Sequence, residues 1–234
     1  MNLTLQKLYS EKWTTFSDEL HKILDDDTKE NKPTNPLLIY LDEVKYTTSD
    51  IRIMIFGQET NDWGDNFTGN PNDALNTYND FYNSNDCFSY AGHFWNGFNR
   101  FLTLLNQKFP DKKISGVWNN VIKVGNSGRN KNNPPEYIYN IEKTYFNVME
   151  SEIEILQPHI VLFLSGPDYD TEIRNSLPGV SFCELSNSFN ERAIAKLKYK
   201  NFTNVYRTYH PNYLWRKGIN TYFDEIIDDI KLEF

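Results

Sequence analysis

His159-Ile160-Val161-Leu162-Phe163-Leu164, followed at once by Ser165-Gly166, is the stretch that decides the fold class. A continuous apolar run that ends in a small-Gly turn is typical of a strand buried on both faces. A second run, Ile51-Arg52-Ile53-Met54-Ile55-Phe56, stops at Gly57 and predicts another buried strand. Both strands alternate along the chain with segments of helical periodicity, which indicates a mostly parallel sheet covered on both faces.

The remaining elements extend the same pattern outward. Further strands are predicted over residues 117–124, 180–185 and 202–208, and helices over residues 5–24, 89–109, 134–156 and 219–232. Residues 25–36 are polar and proline-bearing, and residues 61–86 are rich in Asn, Asp and Gly, so both segments are predicted to be loops. The sequence therefore predicts a three-layer α/β/α sandwich in one domain, residues 1–234, with residues 1–45 as a helical extension packed on it.

The composition is that of a folded chain with ample apolar surface. Of its 234 residues 39% are hydrophobic, and the two cysteines, Cys87 and Cys183, match no zinc or iron–sulfur spacing. We therefore expect no metal site and a reducing, cytoplasmic compartment. No apolar run approaches the ~20 residues that span a bilayer, and residues 1–12 lack the apolar stretch of a signal peptide. We expect a monomer that does not associate with membranes.

Net charge and charge distribution give different indications about partners. The formal net charge of −8 argues at face value against nucleic acid. Two windows, residues 112–133 and 192–218, nevertheless hold five and seven basic residues with no acidic residue, which leaves −20 on the rest of the chain. This segregation is compatible with one positive face for a polyanion, and equally with chance clustering on solvated surfaces.

Polar residues follow three predicted strands at the end where open α/β sheets bind ligands. Gly57-Gln58-Glu59 follows an early strand, Asn119-Asn120 lies on or near the next, and His210-Pro211-Asn212 follows the last. A carboxylate there can activate water, a buried amide can read a base edge, and a histidine can donate to an oxyanion. Taken singly, each group also has a structural interpretation, as a cap or surface turn, an internal hydrogen bond, or a turn histidine.

In chain order, these segments together resemble the uracil-DNA glycosylase superfamily. That family has a Gly-Gln-Asp-Pro-type motif after an early strand, an aromatic segment that stacks on the base, an asparagine strand that reads the pyrimidine, and a late His-Pro-Ser motif. The similar segments here are Gly57-Gln58-Glu59-Thr60, Cys87-Phe88-Ser89-Tyr90, Asn119-Asn120-Val121-Ile122-Lys123-Val124 and His210-Pro211-Asn212-Tyr213-Leu214. The resemblance covers roughly residues 50–232 and implies a uracil-DNA glycosylase-like α/β fold.

The resemblance implies a role for each matching residue. Glu59 would activate water and His210 would stabilise negative charge on the leaving base, so these two are the candidate catalytic residues. Gln58, Phe88 and Asn119 would bind the base through a backbone amide, a stacked ring and a hydrogen-bonding edge. The candidate DNA-binding residues are Asn212, Tyr213, Arg216 and Lys217. Such a site reaches its target only after the base has left the stack.

Three functional hypotheses follow. The first is a monofunctional DNA glycosylase that removes uracil or another damaged base from single- or double-stranded DNA, with no metal or cofactor. The second is a module on the same scaffold that binds a nucleobase, nucleotide or DNA end without cleaving it, because Thr60 and Asn212 replace the family's proline and serine. The third, an unrelated α/β hydrolase or nucleotide-binding protein, is disfavoured because the Gly-x-Ser-x-Gly, Walker and Gly-x-Gly-x-x-Gly motifs are missing.

Overall fold

A six-stranded sheet forms the centre of the molecule in a computed structural model that describes residues 1–60, 66–90, 92–127 and 133–232. The described strands are β1 (Lys32–Pro36), β2 (Ile51–Glu59), β3 (Ile114–Ile122), β4 (Val124–Ser127), β5 (Ile160–Phe163), β6 (Ser181–Glu184), β7 (Ile194–Lys198) and β8 (Val205–Thr208). The central sheet has the order β3-β2-β5-β8-β7-β6, while β1 and β4 pair separately in an antiparallel ribbon. Strands β3, β2, β5 and β8 are parallel to one another. Strand β7 pairs antiparallel with β8, and β6 pairs antiparallel with β7. The predicted mostly parallel sheet is therefore confirmed.

Helices cover both faces of this sheet, as predicted for a three-layer α/β/α fold. They are α1 (Asn2–Asp25), α2 (Glu43–Thr47), α3 (Pro71–Tyr78), α4 (Asp86–Ser89), α5 (His93–Lys108), α6 (Glu136–Tyr145), α7 (Met149–Leu156), α8 (Asp170–Ser176), α9 (Pro211–Lys217) and α10 (Ile219–Asp229). Helices α5, α9 and α10 contact one another on one side, and on the other α1 contacts both α6 and α7. Alternate residues of the buried strands face each layer.

The N-terminal region contributes both a helix and a strand. Helix α1 buries an apolar stripe against α6 and α7, and its Phe16 ring stacks on Phe146 with centroids 4.4 Å apart. Lys32–Pro36, predicted to lie in a polar loop, forms β1 and pairs with β4. Four of the five residues of β1 are buried, because the ribbon lies beneath α1 rather than on the surface.

Several predicted boundaries are wrong. Strand β2 continues through Gly57 to Glu59 instead of stopping at the glycine, since the chain stays paired with β3. The described part of the predicted 61–86 loop, residues 66–86, contains α3 and a π-helical turn, Asn79–Asn83; residues 61–65 lie outside the described residues. The predicted helix over 134–156 is two helices, α6 and α7, separated by an extended turn that buries Phe146. Strand β7 was not predicted.

The described ranges contain neither a membrane-spanning helix nor a cluster of metal-binding side chains. In that part of the chain, no helix is both long enough and apolar enough to cross a lipid bilayer. The same residues contain no group of three or more His, Cys, Asp or Glu side chains that could hold a metal ion. Both cysteines are free thiols, with Cys87 buried and Cys183 half-buried.

Candidate functional site

The carboxyl ends of β2, β5 and β8 meet at one edge of the sheet and carry the candidate catalytic residues. Gln58 Nε2 donates to the carbonyl of Ser165 at 2.8 Å, which ties the end of β2 to the turn after β5. The Gly166 amide donates to the carbonyl of Thr208 at 3.0 Å, which ties that turn to the end of β8. The Ser165-Gly166 turn therefore lies between the Gln58-Glu59 segment and the segment that carries His210.

Glu59 is half-buried, and among the described residues its carboxylate has one side-chain hydrogen-bond partner. The hydroxyl of Tyr169 donates to Glu59 Oε2, and it also lies 3.3 Å from Asn133 Oδ1. Burial raises the pKa of Glu59 to about 7, although the Tyr169 hydrogen bond opposes that shift. A carboxyl group with this pKa exchanges its proton near neutral pH, as a general base in a cleft does.

His210 caps a helix and is held as a neutral imidazole. Its Nδ1 accepts from the backbone N–H of Asn212 at 3.3 Å, at the N-terminus of α9. Burial, assisted by the nearby charge of His93, lowers the pKa of His210 to about 4. Because Nδ1 is the acceptor, the ring proton lies on Nε2, and His210 is therefore a neutral hydrogen-bond donor at pH 7.

Phe94 and Asn120 join this edge through a close approach at Gly57. A Cβ added to Gly57 would lie 2.5 Å from Asn120 Oδ1 and 3.1 Å from the Phe94 ring, so only glycine fits there. The Phe94 ring also stacks on His210, with centroids 6.2 Å apart and an interplanar angle of 16°. An aromatic ring, an amide and an imidazole thus surround the Gly57-Gln58-Glu59 strand end.

Asn119, predicted to be the base-reading amide, does not lie in this cluster. Its side chain has no exposed surface: Nδ2 donates to Glu152 Oε2 at 2.9 Å, and Oδ1 accepts from Lys123 Nζ at 2.5 Å. Tyr9 completes this buried network by donating to Glu152 at 2.7 Å. Successive residues of a strand point to opposite faces, and it is therefore Asn120 that lies on the Gly57 side.

Phe88 is also not the ring beside His210. It lies on α4, and its ring packs within an aromatic cluster against Trp95 and Phe98, with centroids 5.9 and 5.8 Å away. That cluster supports the N-terminal half of α5 rather than the strand end. The ring next to His210 belongs to Phe94, six residues later, and only the docking of α5 distinguishes the two.

The predicted DNA-binding residues lie on α9, directly after His210. Asn212 is exposed, Tyr213 is half-buried, and the side chains of Arg216 and Lys217 approach the Tyr213 ring, with charge-to-centroid distances of 5.9 and 6.0 Å. Pro211, the first residue of α9, sits on Gly97 of α5, where an added Cβ would lie 2.4 Å from the proline ring. Helix α5 therefore fixes the position of the whole His210–Lys217 segment.

A groove of about 540 Å³ runs between α5 and α9 and begins beside this site. Its lining residues are His93, Asn96, Asn99, Arg100, Thr103 and Trp215. His93 precedes Phe94 in the chain, and 42% of Trp215 is exposed to solvent. The groove therefore combines amides, one guanidinium and one accessible indole, a set that suits a nucleic-acid strand.

The two basic windows do not form one uninterrupted positive face. Lys123 and Arg207 are buried and pair with Glu152 and Asp170, at 2.9 and 2.8 Å. Three further basic residues of the second window also form ion pairs with acids outside it: Arg192 with Asp168, Lys196 with Asp229, and Lys200 with Glu150 and Glu154. Arg129 and Lys131 of the first window lie outside the described residues. In the folded protein, acidic residues from outside the two windows therefore neutralise much of their positive charge.

Asn126 is a polar residue that the sequence analysis missed. It lies on β4 with no exposed surface, and neither polar atom of its side-chain amide has a hydrogen-bond partner among the described residues. Its neighbour Gly125 packs against the Thr60 backbone so closely that an added Cβ would lie 2.0 Å from the Thr60 carbonyl oxygen. A buried amide without partners is uncommon and marks a place where a ligand or water can bind. The sequence Gly125-Asn126-Ser127 resembles an ordinary turn and contains no signal for this.

The structure therefore unites Gln58, Glu59 and His210 at one sheet edge, adds Phe94 and Asn120, and removes Phe88 and Asn119. The arrangement can accept a proton at Glu59 and donate one hydrogen bond from His210. Comparison of the chain with protein-family models and with curated proteins found no match.

Proposed function

We propose that this protein is a DNA glycosylase-like enzyme that hydrolyses the N-glycosidic bond of a flipped uracil or other damaged base. The observation that carries the proposal is the position of Glu59 and His210 at the ends of β2 and β8, on either side of the Ser165-Gly166 turn after β5, with pKa values of about 7 and about 4. One group is tuned to exchange a proton near neutral pH and the other to remain an uncharged donor. Groups with separated pKa values are typical of acid–base sites.

The chemistry requires two groups acting on opposite sides of one bond. Water attacks C1′ of the extruded nucleotide as the C1′–N bond breaks. The electron pair of the C1′–N bond leaves with the base. The Glu59 carboxylate takes the proton of the attacking water, and the Nε2–H of His210 donates to the oxygen on which negative charge develops. Phe94 offers its ring to the base in place of Phe88. Asn120 offers its Nδ2 group in place of Asn119, since its Oδ1 accepts from Trp118 Nε1 at 3.2 Å.

The DNA would pass along α9 and the groove beside it. Arg216 and Lys217 supply positive charge immediately after the His210 segment, and Trp215 offers an indole for a neighbouring base. This path is compatible with a net charge of −8, because protein–DNA contact depends on local rather than total charge.

The test is base release from oligonucleotides that contain uracil, hypoxanthine, xanthine or mismatched thymine, in single- and double-stranded form. We expect release of at least one free base by the wild-type chain. Glu59→Gln and His210→Ala should each lower the rate by about 100-fold or more. Glu11→Gln, an exposed substitution on α1, is the matched control and should leave the rate unchanged.

Two results would contradict the proposal. The first is no release of any of these bases by a folded wild-type protein. The second is release that persists in both Glu59→Gln and His210→Ala, because the activity would then come from other groups. Circular dichroism of each variant separates loss of chemistry from loss of folding.

The second candidate function is binding of a nucleobase or DNA without cleavage. The observation that favours it is the Tyr169 hydroxyl, which donates to the carboxylate that would activate water. In addition, the hydroxyl of buried Thr60, the residue after Glu59, donates to the Lys123 carbonyl at 2.7 Å, which fastens the strand end internally. Saturable oligonucleotide binding that depends on Phe94 and His210, without release of any base, would support this function over hydrolysis.

A further inference from the structure

A second cavity, of about 540 Å³, lies at the amino ends of the parallel strands, opposite the edge that carries Glu59 and His210. Its size falls within the range of small-molecule sites. Arg52 near the start of β2, His159 just before β5, and Asn204 just before β8 all line it, because parallel strands also gather their first residues at one edge. Phe202 and Lys231 add an aromatic ring and a second permanent positive charge.

Arg52 and His159 present more hydrogen-bond donors than acceptors. His159 Nδ1 lies 3.2 Å from the backbone N of Arg52, and Nε2 lies 2.9 Å from Arg52 Nη2. A backbone amide and a guanidinium only donate, whereas a neutral imidazole has one acceptor nitrogen and one N–H. One of the two contacts therefore brings two N–H groups together. The backbone amide is fixed by the sheet and donates to Nδ1, so the contact without an acceptor is the one between His159 Nε2 and Arg52 Nη2.

The Arg52 guanidinium has a further unused donor. Its Nε is buried without a hydrogen-bond partner, and the Nη2 contact with the Gln157 carbonyl is long, at 3.4 Å. An unsatisfied buried donor is costly, and a donor attached to a charged group more so. An anion whose oxygens accept from the terminal guanidinium nitrogens and from His159 Nε2 would separate these two donors and bond both, and the guanidinium suits a phosphate in particular.

The wall of the cavity is held in place by Asn204. Its Nδ2 donates to the carbonyls of His159 and Lys231 at 3.1 and 2.8 Å, and its Oδ1 accepts from the Lys231 amide at 3.0 Å. These bonds fix the chain after α10 at the rim, so that Lys231 stays beside the cavity. Among the described lining residues Asp50 is the one acid, and its Oδ2 accepts from the Lys113 amide at 2.8 Å.

From these contacts we propose that the cavity binds the phosphate group of a small phosphate monoester, up to about the size of a mononucleotide. Arg52 and His159 hold the phosphate oxygens, Lys231 adds charge at the rim, and the half-buried Phe202 ring offers a surface to the rest of the ligand. This site is separate from the strand ends of the proposed glycosylase function and does not depend on it.

Isothermal titration calorimetry with three probes tests the proposal: inorganic phosphate, ribose 5-phosphate and deoxyadenosine monophosphate. We expect saturable binding of at least one probe to the full chain. The order of affinities identifies the source of the phosphate, because a nucleotide site prefers the third probe and a free-phosphate site binds the first equally well. Arg52→Gln should weaken binding by about tenfold or more, as expected for a charge-assisted hydrogen bond.

Lys231→Gln provides an independent variant, because Lys231 is exposed and its substitution leaves the backbone bonds to Asn204 intact. It should weaken binding several-fold without changing the melting temperature. Lys12→Gln, an exposed change on α1, is the charge-matched control and should bind as the wild type does. The proposal is overturned if no probe binds, or if folded Arg52→Gln and Lys231→Gln both bind with wild-type affinity.

Discussion

Glu59 and His210 depart from their usual pKa values in opposite directions for the same physical reason. Burial penalises the charged form of each group, which raises the pKa of the carboxyl to about 7 and lowers that of the imidazole to about 4. At neutral pH the two therefore place little net charge in the site. Between about pH 4 and pH 7 both groups are largely neutral, and Glu59 becomes a base only as the pH rises through 7.

Removal of the Tyr169 hydroxyl tests this description of Glu59. The hydroxyl donates to the carboxylate and so favours the ionised form. We expect Tyr169→Phe to raise the Glu59 pKa further, by about one unit, the usual scale for one such hydrogen bond. The measurement is a carbon-13 NMR titration of the Glu59 carboxyl, with exposed Tyr145→Phe as the control. An unchanged or lower pKa would contradict this assignment.

At the scale of elements, the position of His210 depends on the contact between α5 and α9. Gly97 of α5 leaves room for Pro211 of α9, and Phe94, one turn before Gly97, carries the ring that stacks on His210. Two helices that are separate in sequence thus set the position of the His210 ring. The small residue at the crossing is the condition for their close approach.

Gly97→Ala should therefore displace His210, although Gly97 is not itself a residue of the candidate site. Its new Cβ would lie 2.4 Å from the Pro211 ring, so α9 must shift. We expect a loss of about 1–3 kcal/mol in the free energy of unfolding, the usual cost of overpacking, together with reduced base release. Urea denaturation and the oligonucleotide assay measure the two effects. Gln107→Ala, exposed on the same helix and outside the groove, is the control, and equal behaviour of both variants would refute the role of this contact.

Over the whole molecule, ion pairs between distant segments neutralise basic residues that are clustered in the sequence. Arg207 is 1% exposed, and its guanidinium bonds both carboxylate oxygens of Asp170, while Lys200 on the surface pairs with Glu150 at 2.7 Å. Arg216 and Lys217, in contrast, lie exposed on α9 beside the candidate site. Among these basic residues, the α9 pair is therefore the one suited to contact phosphates.

The salt dependence of DNA binding checks this distinction. If Arg216 and Lys217 each neutralise one phosphate, the double variant Arg216→Gln/Lys217→Gln should make the negative slope of log affinity against log salt shallower by about 2. Lys200→Gln should leave that slope almost unchanged, because its charge is already paired within the protein. Equal effects of the two substitutions would show that DNA contacts the surface without regard to this pairing.

Sequence patterns alone were enough to predict the α/β class, the main buried strands and the strand ends that carry Glu59 and His210. These features follow from local periodicity and from breaks in it, and neighbouring residues are sufficient to define them. The patterns could not choose between Asn119 and Asn120, because both occupy one apolar strand and only the docked layers show which face each side chain meets. Only the tertiary structure decided that Phe94 rather than Phe88 stacks on His210, and that distant acids neutralise Lys123 and Arg207. Such choices depend on contacts between residues far apart in the chain, about which a local pattern carries no information.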